Sequence, residues 1–226
     1  LTHLETVVAG SIWSFRHKVR IGPLSIPVRS TIVKLTDGRL WIASPPKPTP
    51  DLLEALDGIG PIGYVVAPNL QHHSFFAEFL AEVPDAEGYL APGLPEKISA
   101  PSNCRILAEQ DWADELPGVF IEGLPVLNET VWIHRATGSL IVTDLLFDFG
   151  ADNPLLLRLM ARLLGVDRRL GMSWTMKRAV KDRTAFGHSL DRIMSHRIDR
   201  VIMAHDQIIE GDVTDQLTAA WSWLRP

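Results

Sequence analysis

Three groups of side chains able to hold a metal ion punctuate the chain: His72-His73, Asp144 and His205-Asp206. Each follows a short apolar run of buried-strand character: Tyr64–Ala67, Leu140–Thr143 and Val201–Ala204. Layered α/β folds concentrate their chemistry at such strand-to-loop exits, where a rigid sheet fixes the group and solvent still reaches it. His72, His73, Asp144 and His205 together offer three imidazoles and one carboxylate. That set suits one divalent d-block cation, Zn²⁺ ahead of Fe²⁺. Each residue also has a plainer use, a hydrogen-bonded histidine at a strand end or an aspartate capping a turn. Asn69 and Gln71 stand beside the first group, where their amides can bind substrate or orient imidazoles; a turn amide and an exposed side chain at a helix start are the plainer readings.

The elements that must position these residues are legible from pattern. Thr6–Ala9, Ile12–Phe15, Ser30–Leu35 and Leu40–Ala43 are β-branched or aromatic runs, and Asp37-Gly38 marks a hairpin turn. The proline-rich stretch 45–50 stops the sheet, and Thr49 or Asp51 caps a helix reaching about Leu56. A helix over His73–Ala81 follows the Tyr64–Ala67 strand. Further strands fall at Glu87–Ala91, Arg105–Ala108, Val119–Leu124, Thr130–His134 and Ser139–Thr143. His134, just before the Arg135–Gly138 turn, reads as a surface residue. Residues 154–197 are helical in pattern, Arg200–Ala204 is a strand, and Val213–Leu224 closes the chain as an amphipathic helix. Strands followed by alternating helices and strands argue for sheets covered by helices. No linker divides the 226 residues, so one domain is expected, with a helical insertion over about 152–199.

These motifs, in this order, resemble the metallo-β-lactamase superfamily over about Thr6 to Leu224. Val65-Val66-Ala67-Pro68-Asn69-Leu70-Gln71-His72-His73 is similar to its strand-then-THxHxDH segment, and Thr137–Phe147 to its tGxLxxGDxLF element. Val201–Asp206 resembles its terminal xxxxGHG strand. The PNxxHH motif looks most like the DUF4336 branch. The resemblance implies an αββα sandwich and a metal-dependent hydrolase. It also exposes departures: the positions of the first two family histidines hold Pro68 and Leu70, and the middle histidine's loop holds Leu127-Asn128-Glu129. What remains maps onto His72, His73, Asp144 and His205, and implies a single metal in the second-site position, against an apo site held by hydrogen bonds. Asp206 or Glu129 would assist proton transfer, and Asn128 would edge the pocket; a salt bridge is the plainer role for Glu129.

The insertion is locally basic, with 11 of the chain's 22 Lys and Arg between Arg158 and Arg200 against four aspartates. Part of Gly171–His188 is expected to overhang the site, with Lys177, Lys181 or Arg183 facing an anionic small-molecule substrate such as an ester, thioester or amide; a solvated helical face is the plainer reading. Elsewhere the chain is acidic, net −5 with pI near 5.9, which gives no reason to expect nucleic acid. Cys104 is the only cysteine, so thiolate clusters and intrachain disulfides are excluded. That usage, the lack of an apolar run of about 18 residues and the lack of a signal-peptide pattern lead to the expectation of a soluble, cytoplasmic protein without a membrane partner. Two other classes stay open: a non-catalytic descendant binding a small anion or a protein, and an iron redox protein.

Overall fold

The β-branched runs of the first hundred residues build a seven-stranded sheet, and those of the second half a five-stranded one, in a computed structural model that describes residues 4–22, 24–99, 101, 104–108 and 112–224. The first sheet runs in sequence order: β1 (Leu4–Val8), β2 (Ile12–Ile21), β3 (Leu24–Lys34), β4 (Leu40–Ala43), β5 (Ile62–Ala67), β6 (Glu87–Leu90) and β7 (Cys104–Ile106). The Asp37-Gly38 turn joins β3 to β4 as expected, with Gly38 at φ +88° and the Leu35 N–H donating to the Arg39 carbonyl at 2.9 Å. The second sheet has the order β12-β11-β10-β9-β8, from β8 (Gly118–Phe120), β9 (Thr130–His134), β10 (Ser139–Val142), β11 (Arg200–Met203) and β12 (Ile208–Glu210).

By contact the chain groups into two compact units, Leu1–His17 with Arg29–Ala113, and Lys18–Val28 with Asp114–Pro226. In the first, parallel β4, β5 and β6 are joined through α1 (Pro50–Asp57) and α2 (Phe76–Glu82). Thr49, not Asp51, caps α1: its hydroxyl accepts from the Leu52 N–H at 3.3 Å, and Pro50 occupies the first turn, where a missing N–H costs nothing. An aromatic cluster anchors this unit. Trp112 sits 4.5 Å from Tyr64 and 4.6 Å from Tyr89 between ring centroids, and edge-on to Trp41. In the second unit the core draws on β8–β11 and on the faces of α5 (Arg183–Met194) and α6 (Val213–Trp221). The basic insertion resolves into three helices, α3 (Leu155–Leu164), α4 (Trp174–Ala179) and α5.

His134 is buried at 4% exposure, correcting the surface reading, and its Nδ1 lies 2.8 Å from the Thr137 hydroxyl. Burial lowers its pKa from the ordinary 6.5, with Glu115 opposing; burial, Lys97 and His72 lower that of His73 in the same way. A base whose folded pKa is depressed is protonated first in the unfolded chain, so stability is whole above about pH 6.5 and is lost as pH falls below it. The thermal midpoint is expected to drop between about pH 7.5 and 5.5, and His134→Gln to flatten part of that slope. An identical slope in the variant would assign the drop to other groups.

Candidate metal centre

β10 and β11 pair in parallel, with Val142 opposite Met203. Two residues beyond that last pair on each strand stand Asp144 and His205, and the Ala204 N–H still donates to the Val142 carbonyl at 3.1 Å. Parallel register therefore delivers both side chains to the same end of the sheet. Their contact is direct: His205 Nε2 lies 3.1 Å from Asp144 Oδ1, and both residues are under a tenth exposed.

Glu129 holds the aspartate's backbone. Asn128, at φ +47°, makes the turn that leads through Glu129, fully buried, into β9. Its two carboxylate oxygens accept from the Thr143 N–H at 2.7 Å and the Asp144 N–H at 2.9 Å. A carboxylate so engaged fixes the loop after β10. Glu129 thus has a structural use beside the proton-transfer role expected of it, and Asn128 serves the turn.

The surroundings of His205 are more telling. Its Nδ1 lies 3.0 Å from the carbonyl oxygen of Pro27, an atom that can only accept. That nitrogen therefore carries the proton, and a neutral ring presents a bare lone pair at Nε2, facing the Asp144 carboxylate. Two acceptors flank one imidazole. Such a pair of facing atoms would suit a shared cation. Ligand atoms about 3 Å apart are what a common ion with bonds of about 2.0–2.2 Å requires. Phe147 stacks on the ring at 5.5 Å and 22°, and Phe149 lies at 6.4 Å, so one side of the pair is apolar. Pro27 is invisible to a motif search because it contributes only a backbone carbonyl; Phe147 was part of the motif around Asp144.

Asp206 sits at φ +64° and turns its carboxylate away to the 150–153 loop. Its Oδ2 accepts from the Gly150 N–H at 2.7 Å and from the side-chain amides of Asn153 and Gln207. These bonds close the 150–153 loop.

In the first unit, Asn69 is fully buried, and its Oδ1 accepts from the backbone N–H groups of Gln71 at 2.9 Å and His72 at 2.8 Å. This Asx turn ends β5 and sets the backbone of His72. It is the turn amide of the plainer reading rather than a substrate contact, while Gln71 is exposed. His72 and His73 are half-buried, and α2 begins only at Phe76, three residues later than its apolar pattern suggests. Pro68 and Leu70 are buried and carry no ligand atom.

Two of the three basic residues singled out in the insertion contact the C-terminal turn of the second unit. Arg183 donates to the carbonyls of Trp223 and Leu224 at 3.1 and 3.3 Å, and its guanidinium lies 5.1 Å from the Trp223 ring centre. Lys177 lies 5.7 Å from the same ring, its pKa lowered by burial and by Arg169. Lys181 is exposed, with its backbone N–H bonded to the Gly123 carbonyl. Lys177 and Arg183 therefore brace the C-terminal turn.

The sequence matches the family model described as "Domain of unknown function (DUF4336)" over residues 9–185. No curated protein matches it. Among solved structures, it is similar to a metallo-β-lactamase from Pontibacter korlensis, with a TM-score of 0.65 and 12% identity over 100% of this chain and 99% of that one. The metallo-β-lactamase FIM-1 from Pseudomonas aeruginosa in its mono-zinc form matches with a TM-score of 0.61 and 11% identity, covering 100% and 97%. A metal-soaked Flv1 flavodiiron core from Synechocystis matches with a TM-score of 0.65 and 9% identity, covering 99% of this chain and 60% of that one. At these identities the likeness shows the fold alone, and that fold is metallo-β-lactamase-like.

Proposed function

We propose, for a chain that belongs to the DUF4336 family and carries the metallo-β-lactamase fold, the function of a hydrolase dependent on one divalent metal ion. Asp144 and His205 would hold the ion, with His72 and His73 as the further ligands that the family resemblance implies. The observation that carries the reading is the His205 imidazole with an acceptor at each nitrogen, the carbonyl of Pro27 on one side and the carboxylate of Asp144 on the other. A donor set of imidazoles and one carboxylate would fit zinc and would accept iron as well. FIM-1 in its mono-zinc form is a precedent for a single ion in this fold.

When bound, the ion supplies Lewis acidity towards the carbonyl of an ester, thioester or amide. The chain's own residues do the positioning. Pro27 fixes the His205 tautomer and ring plane, Glu129 fixes the Asp144 backbone, and Asn69 fixes that of His72. Phe147 and Phe149 exclude water from one side of His205, which strengthens charge interactions there.

Elemental analysis of the purified chain, followed by hydrolysis of p-nitrophenyl acetate with and without chelator, tests this. About one equivalent of zinc per chain is expected, with activity lost to chelator and restored by zinc. A chain that takes up no metal even from excess zinc overturns the reading. Stoichiometric iron with a visible absorption band replaces hydrolysis by redox chemistry; a flavodiiron core is among the structures of similar fold.

A further inference from the structure

α3 breaks the usual rule for a surface helix. Leu157 and Ala161, four residues apart, are buried against Phe149 and Val166. The opposite face is also apolar: Leu155, Leu159 and Leu163, again spaced by four, are 70%, 50% and 79% exposed, and Leu156 is 55% exposed. Trp174 extends this surface. It is 48% exposed, and its indole N–H donates to the Leu163 carbonyl at 2.8 Å, so the ring lies against the C-terminal end of α3 with its polar atom satisfied. A contiguous leucine face ending in an anchored tryptophan does not arise from scattered surface apolar residues.

Its rim is basic. Residues 154–179 carry six cations (Arg158, Arg162, Arg168, Arg169, Lys177 and Arg178) and one acid, Asp167, in a chain whose net charge is −5. Arg178 packs over the Trp174 ring at 5.9 Å. Arg162, Arg168 and Arg169 line, with Gly165 and Asp167, an open cleft of about 290 Å³ beside the end of α3.

We propose that this face docks onto a membrane surface bearing anionic lipid headgroups. The leucines of α3 and Trp174 enter the headgroup–acyl boundary, and the surrounding arginines meet lipid phosphates. A second copy of the chain is disfavoured as the occupant, because apposing two such faces brings their arginine rims together. The sequence suggested no membrane because a spanning run was the signal sought. No described helix is long and apolar enough to cross a bilayer, and a helix lying in the interface needs only one exposed apolar face and a cationic border.

Flotation of the full chain with vesicles tests it. Binding to vesicles of phosphatidylcholine mixed with phosphatidylglycerol is expected to exceed binding to phosphatidylcholine alone by about tenfold or more, and to weaken with salt. Leu159→Asp combined with Leu163→Asp should abolish it, and Arg168→Glu with Arg169→Glu should reduce it at least tenfold, by about a factor of five or more per charge. All four side chains are exposed, so circular dichroism should report an unchanged fold. No flotation with anionic vesicles overturns the proposal, as does flotation indifferent to the two leucine substitutions. A solution dimer that those substitutions split assigns the face to a second copy instead.

Discussion

Glu129→Ala is expected to lower the unfolding free energy by about 2–4 kcal/mol, because it strands two buried N–H donors at roughly 1–3 kcal/mol each. Glu129 is fully buried, and its two oxygens take the N–H groups of Thr143 and Asp144. No water reaches that position to replace the carboxylate unless the cavity left by truncation admits one. For a chain of this length the corresponding fall in thermal midpoint is about 5–15 °C, using about 2–4 °C per kcal/mol. Glu129→Gln keeps the volume and one acceptor but opposes an NH₂ group to the second N–H, so it should recover only part of the loss. A midpoint within about 1 °C of the parent, well below the effect of losing one buried hydrogen bond, would refute the bracing role. Zinc affinity should fall as well in both variants, since the Asp144 carboxylate is aimed by the backbone that Glu129 holds.

The strands that deliver the site were legible for a definite reason. Leu140–Val142 and Val201–Met203 are unbroken apolar runs because β10 and β11 are interior, paired on both edges and buried throughout. Their parallel pairing could be inferred from the helical stretch between them, and with it the meeting of Asp144 and His205. The long β2–β3 ribbon was read only at its outer ends, Ile12–Phe15 and Ser30–Leu35. Yet Phe15, His17 and Val19 are half-buried while Arg16, Lys18 and Arg20 are exposed, an alternation of period two obscured by its charges. The Pro27 carbonyl on that ribbon carries no side-chain signal at all.

The polar residues beside the ligand positions share one feature. Glu129, Asp206 and Asn69 each had a chemical and a structural use open to them, and each accepts from backbone N–H groups: Glu129 and Asn69 in the segments that carry Asp144 and His72, Asp206 at Gly150. A strand exit leaves donors without ladder partners. A short acidic or amide side chain is the cheapest way to satisfy them, so such residues accumulate near sites whether or not they react. The contacts of Lys177 and Arg183 were not legible for a different reason: local charge predicts a cationic surface, but which ring or carbonyl the cations meet depends on Trp223, forty residues beyond Arg183.

Asp144→Asn separates a metal ligand from a structural hydrogen bond. In the parent, His205 Nε2 faces the Asp144 carboxylate while Nδ1 is engaged by Pro27. An asparagine can present its NH₂ to a bare Nε2, so the pair is satisfied with a neutral ring and no cation. The metal-free variant is therefore expected to unfold within about 1 kcal/mol of the metal-free parent, the scale of one hydrogen bond exchanged for another. A neutral amide is a far weaker ligand than a carboxylate, and the loss in zinc affinity should exceed the roughly 10- to 100-fold typical of disturbing groups that merely orient ligands. Calorimetric titration of chelator-treated protein with zinc chloride reads the affinity, and denaturant unfolding reads the stability. His205→Ala should lose affinity to at least the same extent. If Asp144→Asn instead bound zinc as tightly as the parent while losing several kcal/mol of stability, the pair would be an imidazolium–carboxylate brace, and any metal would have to sit elsewhere. Affinity lost with stability kept is the outcome expected if Asp144 serves as a metal ligand.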